Sequence, residues 1–503
     1  KTAENRIEHL SERCFLLLSY VFGQKAVLRK FSAGIMHVTI FWGFLVLSFG
    51  TLEQFISTIY RSANFVFIGP FLYRFFVFSQ DFFAIAVLLA VFYALYRRHI
   101  IRPEGLGTSR DADIILGLIG LLMISIIFMN TFRVLAFFPW YAKAMPVSSL
   151  LSTRFANLDT STSYLLFYIF KWLHNLLILG FAVYLPGSKH LHIVTAAPNT
   201  FLKRLTREKA PATVDFEDPT IDQYGAAKIT DLNWKDALDN FSCTECGRCQ
   251  DLCPAHNTQK PLSPKMLILD LKENLKRNRI EILKGNKTAV GPILDDEITE
   301  NVIWSCTFCR SCESTCPVFI DHTDKVLEVR RDLVMMKSSF PDELQTLFRN
   351  LETYGSPWPF NQDDRLKWAE GLQVTKASEG GKTNLLLWVG CAGAFDERQK
   401  TVTRSLVSIF KKAGIQFSVL GDEETCTGDA ARRLGNEYLF QQLAKKNVET
   451  LNKYDVKKIV TACPHCFNTL RNDYREFGGK YEVQHHTEFL ADLISTGKIK
   501  PTK

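Results

Sequence analysis

Several familiar signals are missing from this sequence. It has no G-x-G-x-x-G run, which excludes a dinucleotide or flavin site of the fingerprint type, and no nucleophile–base set stands out. It has no basic stripe interleaved with aromatics, so the net charge of +8 does not point to nucleic acid. Charge itself is scarce in the first 200 residues: Phe31–Leu52 carries no Asp, Glu, Lys or Arg. The hydrophobic content of 47% therefore averages two unlike halves, one packed with Phe, Leu and Ile and one that reads as an ordinary charged soluble protein. The length of 503 residues allows about three units. The sequence opens on Lys1 rather than Met, and we expect further residues before it.

Four stretches are long and apolar enough to cross a bilayer, which needs about 20 such residues. They are Phe31–Leu52, Phe75–Tyr96 (with Asp81 near its start), Ile114–Phe132 (bracketed by Asp113 and Arg133) and Tyr164–Leu185 (with Lys171 and His174). Residues 10–22 are too short to span and read as an interfacial helix or the remnant of a truncated span. Lys25, Arg29 and Lys30 precede the first span, Arg97, Arg98, Arg102 and Arg110 fill the second connection, and Lys189, Lys203 and Arg204 follow the last. Basic loops stay on the cytoplasmic side, so the N-terminal end, the second connection and the soluble half belong there.

Histidines inside such spans are expensive without a partner and so suggest function. His37 lies in the cytoplasmic half of the first span, His174 in the outer half of the fourth and His192 just past its cytoplasmic end. On one continuous helix His174 and His192 would share a face and stand roughly 27 Å apart, about two levels of a bilayer. The blander reading makes His174 a hydrogen-bonded histidine of the bundle and His190 and His192 interfacial anchors.

The soluble half carries one cysteine pattern twice: Cys243-Thr-Glu-Cys246-Gly-Arg-Cys249-Gln-Asp-Leu-Cys253-Pro254 and Cys306-Thr-Phe-Cys309-Arg-Ser-Cys312-Glu-Ser-Thr-Cys316-Pro317. In a C-x2-C-x2-C-x3-C-P run three thiolates surround one 4Fe–4S cluster and the fourth cysteine ligates the other. Cys243, Cys246 and Cys249 then share a cluster with Cys316, and Cys306, Cys309 and Cys312 share one with Cys253. Zinc gives no reason for a repeated four-cysteine run ending in proline, and eight cysteines this regularly spaced in a large chain do not resemble a small disulfide-stapled domain. Between the runs, Lys265–Arg279 has the spacing of an amphipathic helix. Residues 193–235, with Pro198, Pro211 and Pro219 among mixed charges, read as a linker along the membrane surface.

Farther on, strands are expected at Asn384–Val389, Gln416–Leu420, Lys458–Thr461 and Glu482–Gln484, with helices near Asp396–Ala413 and from Cys426 through Tyr454. The alternation argues for an open parallel α/β layer. Cys391, Cys426, Cys463 and Cys466 each follow the C-terminal end of a strand, where such folds hold ligands. They read as a third iron–sulfur site, with zinc as the alternative and His465 or His485 as a supporting or substitute ligand.

Resemblances extend these readings. The run from His174 through Pro186, Ser188, Lys189 and His190 to His192 resembles the last haem-bearing helix of the dihaem cytochrome b subunit of respiratory nitrate reductase, and Gly34-Ile-Met-His37 and Asp113-Ile-Ile-Leu resemble other helices of it. That resemblance implies a haem b held by His37 and His192 near the cytoplasmic face. The family's partner for the outer histidine falls at Leu47 here, so one haem is expected and a second at His174 needs another ligand. The 52 residues between Cys253 and Cys306 are similar to the helical ferredoxins of succinate dehydrogenase and anaerobic glycerol-3-phosphate dehydrogenase. The C-terminal cysteines resemble the cysteine-rich domain of heterodisulfide reductases, whose usual Cys-Cys-Gly is Thr425-Cys426-Thr427-Gly428 here, which favours a single cube over a five-thiolate centre.

The fold class expected is thus multidomain: a transmembrane helical bundle of cytochrome b type at 1–200, a linker at 201–235, a mainly helical two-cluster ferredoxin domain at 236–345, a connector at 346–382, and an α/β cysteine-rich domain with parallel strands at 383–503. The whole resembles membrane-bound iron–sulfur oxidoreductases related to heterodisulfide reductase, of the electron-transfer flavoprotein:menaquinone oxidoreductase type. This implies electrons from a reduced electron-transfer flavoprotein or another flavoprotein, 4Fe–4S clusters and haem b as carriers, menaquinone as acceptor, and the cytoplasmic membrane of a prokaryote as location. Asp81, Arg133 and Lys171 would flank a quinone pocket, or simply anchor helix ends. The competing readings are a quinol-linked (hetero)disulfide reductase and a non-catalytic relay subunit of a larger respiratory complex.

Overall fold

The computed structural model describes residues 6–501 apart from 61–63, 104, 108, 206–210 and 381–383. Residues 206–210 of the expected linker, the connector's last two residues and residue 383 thus lie outside the described residues. The chain divides into two compact units, one of Lys1–Lys203, Asn233–Lys276 and Cys309–His322, the other of Arg204–Leu232, Arg277–Phe308 and Thr323–Lys503.

In the first unit the four expected spans are helices α1 (Phe31–Ile59), α2 (Pro70–Tyr96), α3 (Arg110–Phe137) and α4 (Thr160–Tyr184). All four are long and apolar enough to cross a membrane, and they make the chain a membrane protein. Polar caps start two of them ahead of the apolar run: Ser109 accepts from the Ala112 N–H and Asp159 from the Thr162 N–H. On α2 the buried residues Val77, Ala84, Val87, Val91 and Ala94 form one face, while Phe71, Phe75, Phe82 and Phe92 point outward. Small residues on the inner face let helices approach closely. Gly43 of α1 is obligatory there, since a Cβ would stand 2.2 Å from the Val87 side chain.

The fourth helix does not continue to His192. Leu185–Gly187 and Lys189–Leu191 are tight 3-10 turns separated by extended Ser188, and a new helix, α5 (His192–Phe201), follows. Pro186-Gly187 interrupts the ladder, so the 27 Å expected of a continuous helix does not apply. The linker expected from residue 193 also begins later: α5 tolerates Pro198 inside it, and Arg13 caps its end by donating to the carbonyls of Phe201 and Lys203. Arg13 belongs to the short helix Leu10–Leu16, which continues as a wider turn to Phe22. Beyond these come α6 (Trp234–Ser242) and α7 (Pro264–Arg277), the latter burying Leu267, Ile268 and Leu271 as the amphipathic spacing predicts.

The second unit is built on a five-stranded parallel sheet of order β1-β3-β2-β4-β5. The strands are β1 (Thr375–Lys376), β2 (Leu386–Trp388), β3 (Ser418–Val419), β4 (Lys458–Thr461) and β5 (Glu482–His485). β1 has no apolar run and is not legible in the sequence. Leu386 and Trp388 of β2 face one apolar core and Leu385, Leu387 and Val389 another, so the sheet is buried on both faces as a parallel sheet requires. Helices α8 (Glu397–Lys412), α9 (Glu437–Lys453), α10 (Pro464–Arg471) and α11 (His486–Ser495) supply much of that cover. The helix expected from Cys426 through Tyr454 is broken: a short turn of helix at Asp429–Arg433 ends, and Gly435 at φ +96° reverses the chain before α9.

Candidate functional site

The two cysteine runs bend in the same way. Glu245 and Gly247 in the first, and Phe308 and Arg310 at matching positions in the second, have φ between +56° and +77°. Left-handed residues after the first and second cysteines turn the backbone so that successive thiols face one point. In the first unit Cys243 stands at the C-cap of α6, and Cys243, Cys249 and Cys316 are buried. The Cys249 and Cys316 thiols are both influenced by Cys243 and Cys246, so Cys316 of the second run lies in the neighbourhood of the first three cysteines of the first. Burial pushes the Cys243 and Cys249 thiols up to about 12 and Cys316 well above its usual value. Such a group of neutral, buried thiols suits a cluster that takes up their negative charge on deprotonation. The Ile320 N–H points at the Cys316 sulfur at 3.4 Å, and Phe308 N–H at Cys306 at the same distance. The boundary between the units falls between Cys306 and Cys309; Cys253, Cys309 and Cys312 lie in the first unit and Cys306 in the second.

The first cysteine loop is fastened to the basic end of the membrane helices. Arg248 donates to the carbonyls of Ala26 (2.5 Å) and Val27 (2.9 Å), Lys30 pairs with Asp251 at 2.7 Å, and Lys265 donates to the Gly105 carbonyl. Asn199 of α5 donates to the Val318 carbonyl, two residues after Cys316.

The histidines of this end converge. His37 and His192 stand close enough for His37 to sense the charge of His192, and Arg248 acts on His37 as well. The His192 Nδ1 lies 2.8 Å from the Lys189 carbonyl, which only accepts; Nδ1 therefore carries the proton and Nε2 the lone pair. Burial lowers the His192 pKa and keeps the ring neutral, the form that binds metal. The His37 Nδ1 is buried with no hydrogen-bond partner among the described residues. Two such buried imidazoles, each with a ring nitrogen left over, are the residue chemistry that would hold a haem iron. Glu245 and Lys272 act on both His192 and Cys243, so the histidine pair and the first cysteine group are neighbours. His190 stacks edgewise on His192, ring centres 5.4 Å apart.

The outer half differs. His174 is buried, its Nδ1 2.8 Å from the Ser125 hydroxyl, whose own proton goes to the Leu122 carbonyl. Nδ1 thus donates, and Nε2 is buried without a partner among the described residues. Leu47 is packed in the apolar core with Ala84, Val87 and Met123. Asp81 is engaged by the Val147 and Ser148 N–H groups and the Ser148 hydroxyl, which makes it the anchor of the short helix Pro146–Ser152. Arg133 lies over the Phe167 ring at 5.5 Å, and Lys171 is half-buried one turn before His174.

In the second unit Cys391 opens the turn of helix Gly390–Phe395 after β2, Cys426 follows β3, and Cys463 caps α10 after β4 with Cys466 in its first turn. The chain reverses its order around β2, the switch point where open α/β sheets bind ligands. Cys391 and Cys426 hydrogen-bond to each other, as do Cys463 and Cys466, and Cys466 senses both Cys391 and Cys426. Gly390 has φ +76°, a turn that favours glycine, and its missing side chain faces the Cys466 sulfur, which a Cβ would approach to 3.4 Å. Among the described residues no three His, Cys, Asp or Glu side chains close on a single point as one metal ion would require. The bond from Cys426 and the Arg365 cation hold the Cys391 thiol down to about 7. Arg365 and Glu424 are both buried and paired at 2.9 Å; neither was apparent in the sequence, where they are two charges among many. Thr425 donates its hydroxyl to Asn447, and its methyl faces Gly355, where a Cβ would approach it to 3.1 Å. His465 is exposed and pairs with Asp429, and His485 bonds to the Ala462 carbonyl and Thr487.

A 4Fe–4S dicluster domain model matches residues 242–320, and a cysteine-rich domain model matches residues 385–471. The probable iron–sulfur-binding oxidoreductase FadF of Bacillus subtilis is 35% identical over 98% of this chain and 75% of its own length. EtfAB:quinone oxidoreductase of Syntrophomonas wolfei is 34% identical over 99% and 74% respectively. A component of the dihydromethanophenazine:CoB–CoM heterodisulfide reductase of Methanosarcina mazei is 32% identical over 52% of this chain and 64% of its own length. No solved structure matches. The doubled cysteine run, the strand-end cysteines and the four apolar helices are thus one inherited assembly, and the chain belongs to the family of membrane iron–sulfur oxidoreductases that includes FadF and EtfAB:quinone oxidoreductase.

Proposed function

We propose that this oxidoreductase accepts electrons from a reduced electron-transfer flavoprotein, or another flavoprotein donor, on the cytoplasmic side of a prokaryotic inner membrane and delivers them to menaquinone. When bound, three 4Fe–4S clusters and a haem b supply one-electron carriers between a soluble donor and the bilayer. Cys243, Cys246, Cys249 and Cys316 hold one cluster, Cys306, Cys309, Cys312 and Cys253 the second, and Cys391, Cys426, Cys463 and Cys466 the third. His37 and His192 hold the haem, with the Lys189 carbonyl fixing the ring of His192. Residues 1–200, 236–345 and 383–503 carry the membrane, relay and receiving roles, joined by 201–235 and 346–382. The observation that carries this reading is the shared surroundings of Cys243 and His192, which stand beside the same Glu245 and Lys272.

Stopped-flow absorbance of the haem band, after mixing oxidised protein with reduced electron-transfer flavoprotein, tests it. Rapid haem reduction, reversed by a menaquinone analogue, is expected. A haem that ignores the flavoprotein but is reduced by quinol and reoxidised by a disulfide would replace this reading with a quinol-linked disulfide reductase. The heterodisulfide reductase relative favours that second reading, and Thr425 weighs against it. With its hydroxyl on Asn447 and its methyl against Gly355, position 425 offers no ready fifth thiolate. Thr425→Cys is expected to gain no disulfide reductase activity, and a gain would reverse the assignment. Turnover of quinone by the purified chain with a flavoprotein argues against a purely non-catalytic relay.

A further inference from the structure

We propose that Arg365 and Glu424 form a built-in electrostatic setting for the reduction potential of the cysteine-rich centre, Arg365 raising it and Glu424 lowering it. The inference rests on the reading of Cys391, Cys426, Cys463 and Cys466 as ligands of one cluster. Arg365 comes from the connector, far from any cysteine in sequence, yet is only 2% exposed, and its Nη2 stands 3.6 Å from the Cys391 sulfur. The same Nη2 donates to Glu424 at 2.9 Å. Glu424 is 1% exposed and accepts from the Val389 N–H at 3.0 Å and the Gly390 N–H at 2.7 Å, the two residues that lead into Cys391. The carboxylate therefore cannot swing away, and it holds the guanidinium against the thiol.

The guanidinium has donors to spare. Its Nε and Nη1 are buried with no hydrogen-bond partner among the described residues, and its carbon stands 5.6 Å from the centre of the Phe395 ring. A buried cation with unused donors beside four thiols calls for an anionic guest with acceptor atoms, which the sulfurs of a cluster provide. An electron arriving at such a guest adds a negative charge in a place water does not reach. A cation in contact stabilises that charge and a carboxylate opposes it, so the two side chains act with opposite sign on one equilibrium. Arg365 thus makes the centre a ready acceptor from a donor of low potential, while Glu424 keeps it from holding the electron too tightly to pass on. Both are positioning residues: neither need bind iron.

The test is a redox titration of the full chain in detergent, followed by electron paramagnetic resonance, for Arg365→Met, Arg365→Lys and Glu424→Gln. At fixed potential Arg365→Met is expected to move the reduced-to-oxidised ratio of one cluster about tenfold toward oxidised, equivalent to 59 mV for a one-electron couple. Arg365→Lys should give a smaller shift of the same sign, and Glu424→Gln a shift toward reduced. The other two clusters should not move. A structural role alone would lose the signal in each variant or shift all three the same way, and either result overturns the proposal, as does no shift in any. Where Arg365→Met fails to assemble the centre, the opposite signs of Arg365→Lys and Glu424→Gln decide. Wild-type protein whose iron content and spectra account for two clusters only would overturn the four-cysteine reading instead.

Discussion

The two ends of the membrane helices, the His37 end (inner under the proposed function) and the His174 end (outer), carry the same residue type in different surroundings. At the inner end His37 and His192 lie within electrostatic reach of each other, and each has a nitrogen left for a guest: His192 because its Nδ1–H donates to the Lys189 carbonyl, His37 because its Nδ1 has no hydrogen-bond partner among the described residues. At the outer end His174 is oriented equally well by Ser125, but Leu47, where the resemblance places its partner, is hydrocarbon packed in the apolar core. Orientation of an imidazole is therefore separable from the presence of a second one beside it: His174 is oriented by Ser125, and the position of the expected partner is Leu47.

Four experiments would break or sharpen that contrast. The largest effect belongs to His192→Ala, which should lower haem content by roughly 100-fold, more than the loss of a supporting hydrogen bond costs. Retained haem would dissolve the inner site. Next, Leu47→His should restore a partner to His174, and the pyridine haemochromogen assay should rise from one haem per chain to two; no rise would show that more than one ligand has been lost. Ser125→Ala should leave haem unchanged and cost about 1 kcal/mol for the hydrogen bond lost, read as a lowered Tm. The smallest effect is in pH. Burial holds His190 down to about 4 from 6.5, so as pH falls through that interval the unfolded chain takes up its proton before the folded one. Stability from this residue is full above 6.5 and lost toward 4, and His190→Asn should flatten the decline in Tm over that window.

What the sequence disclosed and what it concealed divide along physical lines. Spans and cysteine runs are local patterns: a charge-free run or a C-x2-C-x2-C spacing means the same wherever it lies. The parallel strands were legible from apolar runs such as Leu385–Val389, while β1 was not, because Thr375 and Lys376 pair only through backbone with β3. The break at Pro186-Gly187 is visible as residues, yet the apolar run before it and the histidines after it share the spacing of one helix. The parts of the sites made by distant contacts left no mark at all. Ser125 is one serine on an apolar helix, and Arg365 with Glu424 become a pair only when the sheet folds.

The grip of Arg248 on the carbonyls of Ala26 and Val27 has a kinetic consequence. It ties the first cysteine loop to the helices that carry His37, within one folded unit. Under the proposed function, electron passage between these two places is first order: it needs no encounter, and neither dilution nor solvent viscosity should slow it. Under that function, concentration matters only at the two ends of the route, where the soluble donor would arrive and the lipid-borne acceptor would leave.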